Sequence, residues 1–389
     1  MATAKYNITS NTPYVVGTEF QFIKDAIANR HLSGNGKYTN LCHTFFNQTF
    51  GFKKCLLTTS CTDALEMCAI LLDIKEGDEI IMPSFTFVST ANAFILRGAK
   101  IILADSEIGN PNIDTAQLSL LITSKTKAIV VVHYAGAACN MDAVMQLAQQ
   151  HNLFVVEDAA QAIDSYYTGA DHIKKPLGSI GHLAAFSFHE SKNIQCGEGG
   201  MLVINDEQFA NRAEIIWEKG TNRAAFFRGD VDKYNWVDTG SSFLPSEITA
   251  AFLYAQLLAV NQIQTIRKEK WQQYYEALLP LQQAEKIQLP QLHTYATNNA
   301  HIFYLVCKTA VERSALILFL KELGVQSMFH YPGLHTSPFY TANNIQIPLL
   351  PNAEKFAACL IRLPLFIELN NAAIETICKH IHNFYAAKN

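Results

Sequence analysis

The sequence predicts an α/β fold: a large domain with a mainly parallel central sheet, then a smaller C-terminal α/β domain. Three observations carry this. Short β-rich runs alternate with helical stretches between Lys54 and Asp206. Several of those runs are apolar without interruption, as parallel strands covered on both faces must be. The chain has 389 residues, more than one hydrophobic core ordinarily serves.

The strand candidates, in order, are "KCLLT" (54–58), "EIIM" (79–82), "KIILA" (100–104), "AIVVV" (128–132), "LFVVE" (153–157), "LAAFSF" (183–188) and "GMLVIN" (200–205). Between them, Asp63 to Leu72 sets Leu65, Cys68, Ala69 and Leu72 on one helical face, and Met141 to Gln150 repeats the pattern. Strand–helix alternation on this scale implies a parallel sheet. The character changes after "GSSFLPSEITAAFLYAQL" (240–257). Helical sequence runs to about Leu279, and a Pro- and Gln-containing connection follows at 288–291. The remainder reads as strand (302–307), helix (312–323), strand and two terminal helices. The expected units are residues 1–255, with the N-terminal segment and large domain, and 256–389, the small domain.

Composition narrows the function classes. Hydrophobic residues make up 49% and charged residues 16%, which predicts an ordered globular protein. A formal charge of -4 with no basic stripe argues against a nucleic-acid partner. The nine cysteines form no CxxC pair and show no metal-ligand spacing with histidine, so reduced thiols, a cytoplasmic location and no metal are expected. The N-terminal "MATAKYNITSNTP" lacks the apolar core of an export signal. The most apolar run, Ala128 to Cys139, contains His133 and is too short to span a bilayer. The sequons at Asn7 and Asn47 are therefore expected to go unused.

Four local features bear on chemistry, and each has a plainer reading. "LLTTSCTDALEMCAILL" (56–72) is a strand, then Thr59-Ser60-Cys61-Thr62, then a helix. Free N–H groups, the macrodipole and hydroxyls make such a start an anion site, while Ser60 or Thr62 as a plain N-cap fits equally. "VVEDAAQAID" (155–164) puts Asp158 at the carboxyl end of a strand, where open α/β sheets bind ligands; the alternative is a cap for a helix starting at Ala159. "PSFTFVSTANA" (83–93) offers Phe85 and Phe87, each either a core residue or a flat face for a ligand. In "SFHESKNIQCGEGG" (187–200), Lys192 is either a solvated loop charge or a reactive amine. Together the four suit pyridoxal phosphate. The lysine amine holds the aldehyde carbon, the carboxylate keeps the pyridine nitrogen protonated, the aromatic face stacks, and the helix start cradles the phosphate.

The order of these features resembles the DegT/StrS sugar-nucleotide aminotransferases. The likeness runs through "PYVVGTEF" (13–20), "TTSCTDALEM" (58–67), "GDEIIMPSFTFVSTANAFILRGAKI" (77–101), "HYAGAACNMD" (133–142), "NLFVVEDAAQ" (152–161), "SFHESKN…GEGG" (187–200), "EKGTNRAAFFRGDVDKYNW" (218–236) and "FHYPGLH" (329–335). The resemblance implies the fold type I (aspartate aminotransferase-like) architecture and a pyridoxal 5'-phosphate cofactor that passes through pyridoxamine 5'-phosphate.

Residue by residue, it implies Lys192 as the Schiff-base lysine and acid/base, Asp158 at the pyridine nitrogen and Gln161 near the ring hydroxyl. Phe87 falls at the stacking position, and Ser60, Cys61, Thr62 and Ser187 fall at phosphate-binding positions. Many members carry "GYNYR" where this chain has Gly240-Ser241-Ser242-Phe243. Their Asn reaches the neighbouring subunit's phosphate, so the shorter Ser242 is a departure. Lys219, Asn222 and Arg228 are candidates for a nucleotide diphosphate. His330, Tyr331 and His335 are candidates for the sugar nucleotide or, alternatively, a satisfied interdomain cluster. His189 is expected to be a neighbour of the cofactor rather than a base.

The longest matching segments look most like members that make dTDP-4-amino-4,6-dideoxygalactose for enterobacterial common antigen or related cell-surface polysaccharides. The implied partners are L-glutamate/2-oxoglutarate, a dTDP-4-keto-6-deoxyhexose and a second copy in a homodimer with shared active sites. Amination at C3, a sugar dehydratase and a non-catalytic nucleotide-sugar-binding regulator are the alternatives. Lys192 argues against the dehydratase branch, which has histidine there.

Overall fold

The structure is a computed structural model and describes residues 6–344 and 346–387, so the first five residues of the N-terminal stretch considered above lie outside it. Two helices, α1 (Glu19–Ala28) and α2 (Lys37–Phe50), precede the sheet. They lead into β1 (Lys54–Thr58), α3 (Cys61–Leu71), β2 (Glu79–Pro83), α4 (Val88–Ile95), β3 (Lys100–Ala104), β4 (Thr126–Val132), α5 (Met141–His151) and β5 (Phe154–Asp158). A short hairpin, β6 (Tyr166–Thr168) and β7 (Lys174–Pro176), intervenes before β8 (Leu183–Ser187) and β9 (Gly200–Ile204).

All seven strand expectations correspond to strands of one sheet, ordered β1-β9-β8-β5-β4-β2-β3. β8, β5, β4, β2 and β3 run parallel, while β9 is antiparallel to both β1 and β8.

The uninterrupted apolar runs have a direct cause. In β4, Ala128 and Val130 face one core while Ile129 and Val131 face the other; in β9, Leu202 and Ile204 oppose Met201 and Val203 in the same way. Successive side chains alternate across a strand, so a strand buried on both faces has no polar position to spare. Burying each such Val or Ile contributes about 1.5–3 kcal/mol. One core is closed by α3, α4 and α6 (Ala210–Trp217), the other by α2, α5 and α8 (Glu247–Leu258). Between α6 and α8 the chain makes an excursion carrying α7 (Arg223–Arg228). Isolated bridges Glu218↔Ser242 and Thr221↔Trp236 clip its base.

The 24-residue α9 (Val260–Gln283) joins the two parts: Val260 and Ile263 pack in the large core, and Trp271, Tyr274 and Leu278 in a third one. The second sheet is antiparallel, ordered β10 (Ile287–Gln288), β11 (Phe303–Cys307), β12 (Leu360–Leu363). α10 (Ala310–Glu322) and α13 (Asn371–Ala386) pack beside it, and α11 (Pro338–Asn343) and α12 (Pro351–Cys359) precede β12.

The expected order of elements needs one correction here. Between α10 and α11 the described residues make only isolated bridges, Ile8↔Val325 and Met328↔Arg362, and the strand that pairs with β11 comes later, between α12 and α13. Its sequence, "LIRLPLF", continues the apolar pattern of α12, so periodicity alone does not separate helix from strand there.

Candidate active site

The carboxyl ends of the parallel strands deliver the candidate residues to one edge of the sheet, as open α/β sheets do. There, between the two sheets, lies a cavity of about 810 Å³. Ser60, Cys61, Thr62, Phe87, Asp158, Gln161, Ser187, Lys192, His330 and Tyr331 all line it, as does His189. Residues up to 271 positions apart in sequence thus meet in one place (331 − 60).

At the start of α3, both readings of Ser60 hold together. Its Oγ accepts the Asp63 N–H at 3.1 Å as an N-cap, while the Cys61 and Thr62 N–H groups find no partner among the described residues. Thr62 Oγ1 donates to Ser89 Oγ at 2.8 Å. Gly200 sits at the start of β9, paired with Thr58 on one side and Ser187 on the other. A Cβ there would lie 2.3 Å from the Ser60 carbonyl carbon and 2.4 Å from the Cys61 nitrogen. The helix start is therefore bare, unpaired and packed so closely that only glycine fits beneath it, which suits an anion.

Asp158 ends β5 and is 5% exposed. The alternative of a helix cap fails, because β5 is followed by turns and not by a helix. Its Oδ1 accepts the Ala160 N–H at 3.1 Å, and Oδ2 accepts the Thr90 hydroxyl at 2.7 Å. Burial pushes the Asp158 carboxyl above the usual carboxylate range, opposed by the Thr90 hydroxyl, the Ala160 amide and the Lys192 charge. The neighbouring Glu157 has a structural task instead. It accepts the Gly178, Ile180 and Gly181 N–H groups at 2.6–2.8 Å and pairs with buried His133 at 2.9 Å.

The two phenylalanines divide as the alternatives allowed. Phe85 is 1% exposed in the core, and Phe87 is 56% exposed with its ring toward the cavity, 6.0 Å from Tyr331. Gln161 connects the walls: its Nε2 donates to Tyr331 Oη at 2.9 Å and its Oε1 accepts the Ala135 N–H at 2.7 Å.

Lys192 is half-buried, not a solvated loop charge. Burial lowers its pKa; the Asp158 carboxylate pulls the other way, and the Arg362 guanidinium reinforces burial. A buried amine without a salt bridge is biased toward its neutral, nucleophilic form. Burial also holds the Cys61 thiol well above its ordinary range, so it stays protonated beside the helix start.

Other candidates lie elsewhere in this chain. Lys219, Asn222, Arg228 and Ser242 are on the excursion between α6 and α8, outside the cavity, and Lys219 and Ser242 are exposed. Arg228 is already paired with Glu214 at 2.8 Å and Asp230 at 2.9 Å. His335 is 1% exposed and fully engaged, with Ser84 Oγ at 2.6 Å and Glu354 Oε1 at 3.2 Å, which is the satisfied cluster rather than a cavity wall. His189 is bonded to Ser191 Oγ at 2.8 Å.

Thr90, His301 and Arg362 are among the cavity residues not singled out in the sequence. The signal for Arg362 was present, since a lone arginine interrupts the apolar "CLIRLPLF". Thr90 follows Phe87 by three positions at a helix start, a spacing too common to stand out.

The donor set fits pyridoxal phosphate. An unpaired helix start suits its phosphate, a strand-end carboxyl its ring nitrogen, an exposed aromatic face its ring and a half-buried amine its aldehyde. Comparison with known proteins agrees. The spore coat polysaccharide biosynthesis protein SpsC of Bacillus subtilis (strain 168) is 31% identical over 379 residues, 95% of each chain. DesV of S. venezuelae, solved in complex with a ketimine intermediate, superposes with a TM-score of 0.87 at 26% identity, covering 97% of this chain and 98% of that one. Spr1654 of Streptococcus pneumoniae in its PLP-form shares the fold, with a TM-score of 0.87 at 23% identity over 97% and 98% of the two chains. The sequence matches one family over residues 14–382, and the chain belongs to it: the DegT/DnrJ/EryC1/StrS aminotransferase family.

Proposed function

We propose that this enzyme is a pyridoxal-phosphate-dependent sugar-nucleotide transaminase. It moves the amino group of L-glutamate to the keto carbon of a dTDP-4-keto-6-deoxyhexose, giving a dTDP-4-amino-4,6-dideoxyhexose of galacto configuration for a cell-surface polysaccharide. The observation that carries the reading is the meeting of Lys192 and Asp158 in one cavity with the unpaired start of α3. The likeness to SpsC, a spore coat polysaccharide biosynthesis protein, supports the product class.

When bound, the cofactor supplies an electrophilic carbon for the amine and a ring that draws off electrons from the carbon losing its proton. The chain's own residues do the rest. The Lys192 amine would hold the cofactor's aldehyde carbon and, when not so engaged, would carry the proton between the donor's Cα and that cofactor carbon. Burial helps by keeping the amine short of protons. Asp158 holds a proton on the ring nitrogen, and Thr90 and the Ala160 amide fix that carboxyl in place. Phe87 orients the ring, Gln161 and Tyr331 set its hydroxyl edge, and Ser60, Cys61, Thr62 and Ser187 receive the phosphate.

In this reading the enzyme is a cytoplasmic homodimer. Among the described residues no helix is long and apolar enough to cross a membrane. The excursion bearing Lys219, Asn222, Arg228 and Ser242 reaches the second subunit's cavity. Support for a second copy comes from the aromatic surface of that excursion, where Phe227 is 69% and Trp236 82% exposed.

The test is direct. The purified enzyme with added cofactor should be yellow, L-glutamate should bleach it, and incubation with dTDP-4-keto-6-deoxyglucose should give a product whose amine position and configuration NMR assigns. Lys192→Ala should lose activity by about 10²–10⁴-fold or more, the contribution of a positioned acid/base. Full turnover by Lys192→Ala, or no visible band, sinks the reading; amination at C3 corrects the product alone.

A further inference from the structure

We propose that Asn11 hydrogen-bonds a ring hydroxyl of the acceptor hexose, from a strap of chain that crosses the mouth of the active-site cavity. This deepens the transaminase reading above and rests on it.

Residues 7–17, ahead of α1, form no helix and only one isolated bridge, yet they are clipped at both ends. One end joins the small domain. The Asn7 and Ile8 N–H groups donate to the Gly324 carbonyl at 2.9 and 3.1 Å, and the Ile8 carbonyl accepts the Gln326 N–H at 2.9 Å. The Ser10 N–H donates to Gln326 Oε1 at 3.0 Å, and the Ser10 carbonyl accepts the Leu365 N–H at 3.3 Å. The other end joins the large domain. The Tyr14 carbonyl accepts from Nε2 of both Gln195 and Gln256 at 2.9 Å, and the Glu19 carboxylate receives the Val16 and Gly17 N–H groups at 2.7 Å. Gln195 is buried and belongs to the Lys192 loop, three residues further on.

Between the anchors at Ser10 and Tyr14, four residue steps span at most about 14 Å. Asn11 lies in that span beside the clipped Ser10, and both residues line the cavity. Holding each residue of an irregular segment in one conformation costs about 1–2 kcal/mol, which the clips offset here. The half-buried Asn11 carboxamide has no hydrogen-bond partner among the described residues. The adjoining wall is apolar, since Leu363 and Leu365, at the strand end that clips Ser10, line the cavity too. Asn11 thus brings a free donor and a free acceptor to a part of the cavity otherwise short of both.

Chemistry selects the ligand group. An amide both donates and accepts, as a hydroxyl does, whereas the carboxylates of glutamate and the diphosphate of a nucleotide only accept. Thymine also does both, but a deoxyribose and two phosphates separate it from the reacting ring. The reacting carbon must meet the Lys192 amine, and the strap is anchored on the Lys192 loop itself. The hexose is therefore the part of the nucleotide sugar that stands under Asn11.

The experiment separates the two half-reactions in wild type, Asn11→Ala, Gln326→Leu and the double variant, with visible absorbance confirming equal cofactor loading. In the pyridoxamine form, the dTDP-4-keto-6-deoxyglucose concentration for half-maximal single-turnover rate should rise about 3- to 10-fold in Asn11→Ala, as expected for losing one or two neutral hydrogen bonds. The L-glutamate dependence of bleaching, and the affinity for dTDP alone measured by calorimetry, should change by less than about twofold. Gln326 does not line the cavity but holds the Ser10 N–H, so Gln326→Leu should weaken sugar use through Asn11. The double variant should then be no worse than Asn11→Ala, whereas additive losses would show that the strap does not position Asn11. An equal rise for sugar and glutamate would mean that Asn11 only shapes the mouth, and an equal loss of dTDP affinity would put it on the nucleotide. Either result overturns the proposal, as does an unchanged sugar dependence in Asn11→Ala. If wild type is bleached by L-glutamate but does not turn over this sugar, the substrate reading fails and the proposal with it, a result distinct from one confined to the variants.

Discussion

The Thr90 hydroxyl donates to Asp158 Oδ2 at 2.7 Å, and Thr90 Oγ1 lies 2.9 Å from that of Thr86, so a two-hydroxyl chain ends on a carboxyl that lines the cavity. All three residues are buried. A hydrogen bond to a charged group contributes about 1.5–3 kcal/mol, so Thr90→Val should raise the proton affinity of Asp158 by roughly one to two pH units. The acid limb of the kcat profile should move to higher pH, because the carboxylate now protonates earlier as pH falls. Thr90→Ser should restore the original profile. Superimposable profiles for wild type and Thr90→Val would show that the hydroxyl only fills space.

Gly200 is the second point where the cradle is brittle. A methyl group there meets the Ser60 carbonyl carbon at 2.3 Å and the Cys61 nitrogen at 2.4 Å, and both are backbone atoms that a rotamer change cannot move. Gly200→Ala must push the start of α3 away from β9, spoiling the alignment of the free Cys61 and Thr62 N–H groups. The expected result is a cofactor dissociation constant raised by about tenfold or more, read by absorbance titration, since two or more phosphate hydrogen bonds weaken together. An unchanged constant would mean that the phosphate does not rest on these groups.

Much of this was legible in the sequence, for identifiable reasons. The strands of the large sheet announce themselves because residues such as Ile129 and Val130 must satisfy two cores at once. The candidate cofactor residues at 60–62, 87, 158 and 187 sit at strand ends or helix starts, where local sequence fixes position; 161 and 192 lie in the turns that follow β5 and β8, and all share one cavity. Less legible were features set by contacts distant in the chain. Whether His335 faces the cavity or is engaged depends on Ser84, 251 positions away. The place of β12 depends on pairing with β11, and the place of Arg362 in the cavity wall on which side of that sheet the cavity opens. A pattern read along the chain carries no information about such pairings.

His43 makes the fold acid-sensitive independently of the active site. Its Nε2 accepts the Leu57 N–H at 3.0 Å, a role only the neutral ring can fill, and burial, with Lys54 reinforcing it, lowers its pKa from 6.5 to about 4. The folded value lies below the unfolded one, so between them the unfolded chain binds the extra proton. Stability is full above pH 6.5 and drains as pH falls toward 4, by at most about 3 kcal/mol. Urea denaturation should show wild type losing about 1–2 kcal/mol more than His43→Gln between about pH 7 and pH 5, the glutamine oxygen having replaced the acceptor without titrating. Parallel losses in the two proteins would exclude His43 as the source.

Asn193 offers a test of how the Lys192 loop is held. Its Nδ2 donates to Gln264 Oε1 and the Asn299 carbonyl, both at 2.8 Å, and its Oδ1 lies 2.9 Å from His301 Nδ1. Burial, followed by the nearby Lys192, Arg267 and Arg362 groups, keeps His301 neutral. Its one proton must then sit on Nδ1 and be donated to Asn193. The amide thus ties the lysine loop to α9 and to the segment before β11, with every polar atom engaged. Asn193→Asp keeps the shape but removes both donors, setting a carboxylate oxygen against the Asn299 carbonyl. Protonation would restore one donor, so this carboxyl should titrate well above the usual range. Cofactor retention after desalting should accordingly be poor at about pH 8 and recover toward wild type at about pH 6, the reverse of ordinary acid loss. Asn193→Leu, which can donate at neither pH, should retain cofactor poorly at both. If Asn193→Asp matches wild type at both pH values, the network does not position Lys192, and the loop is held by its backbone bonds alone.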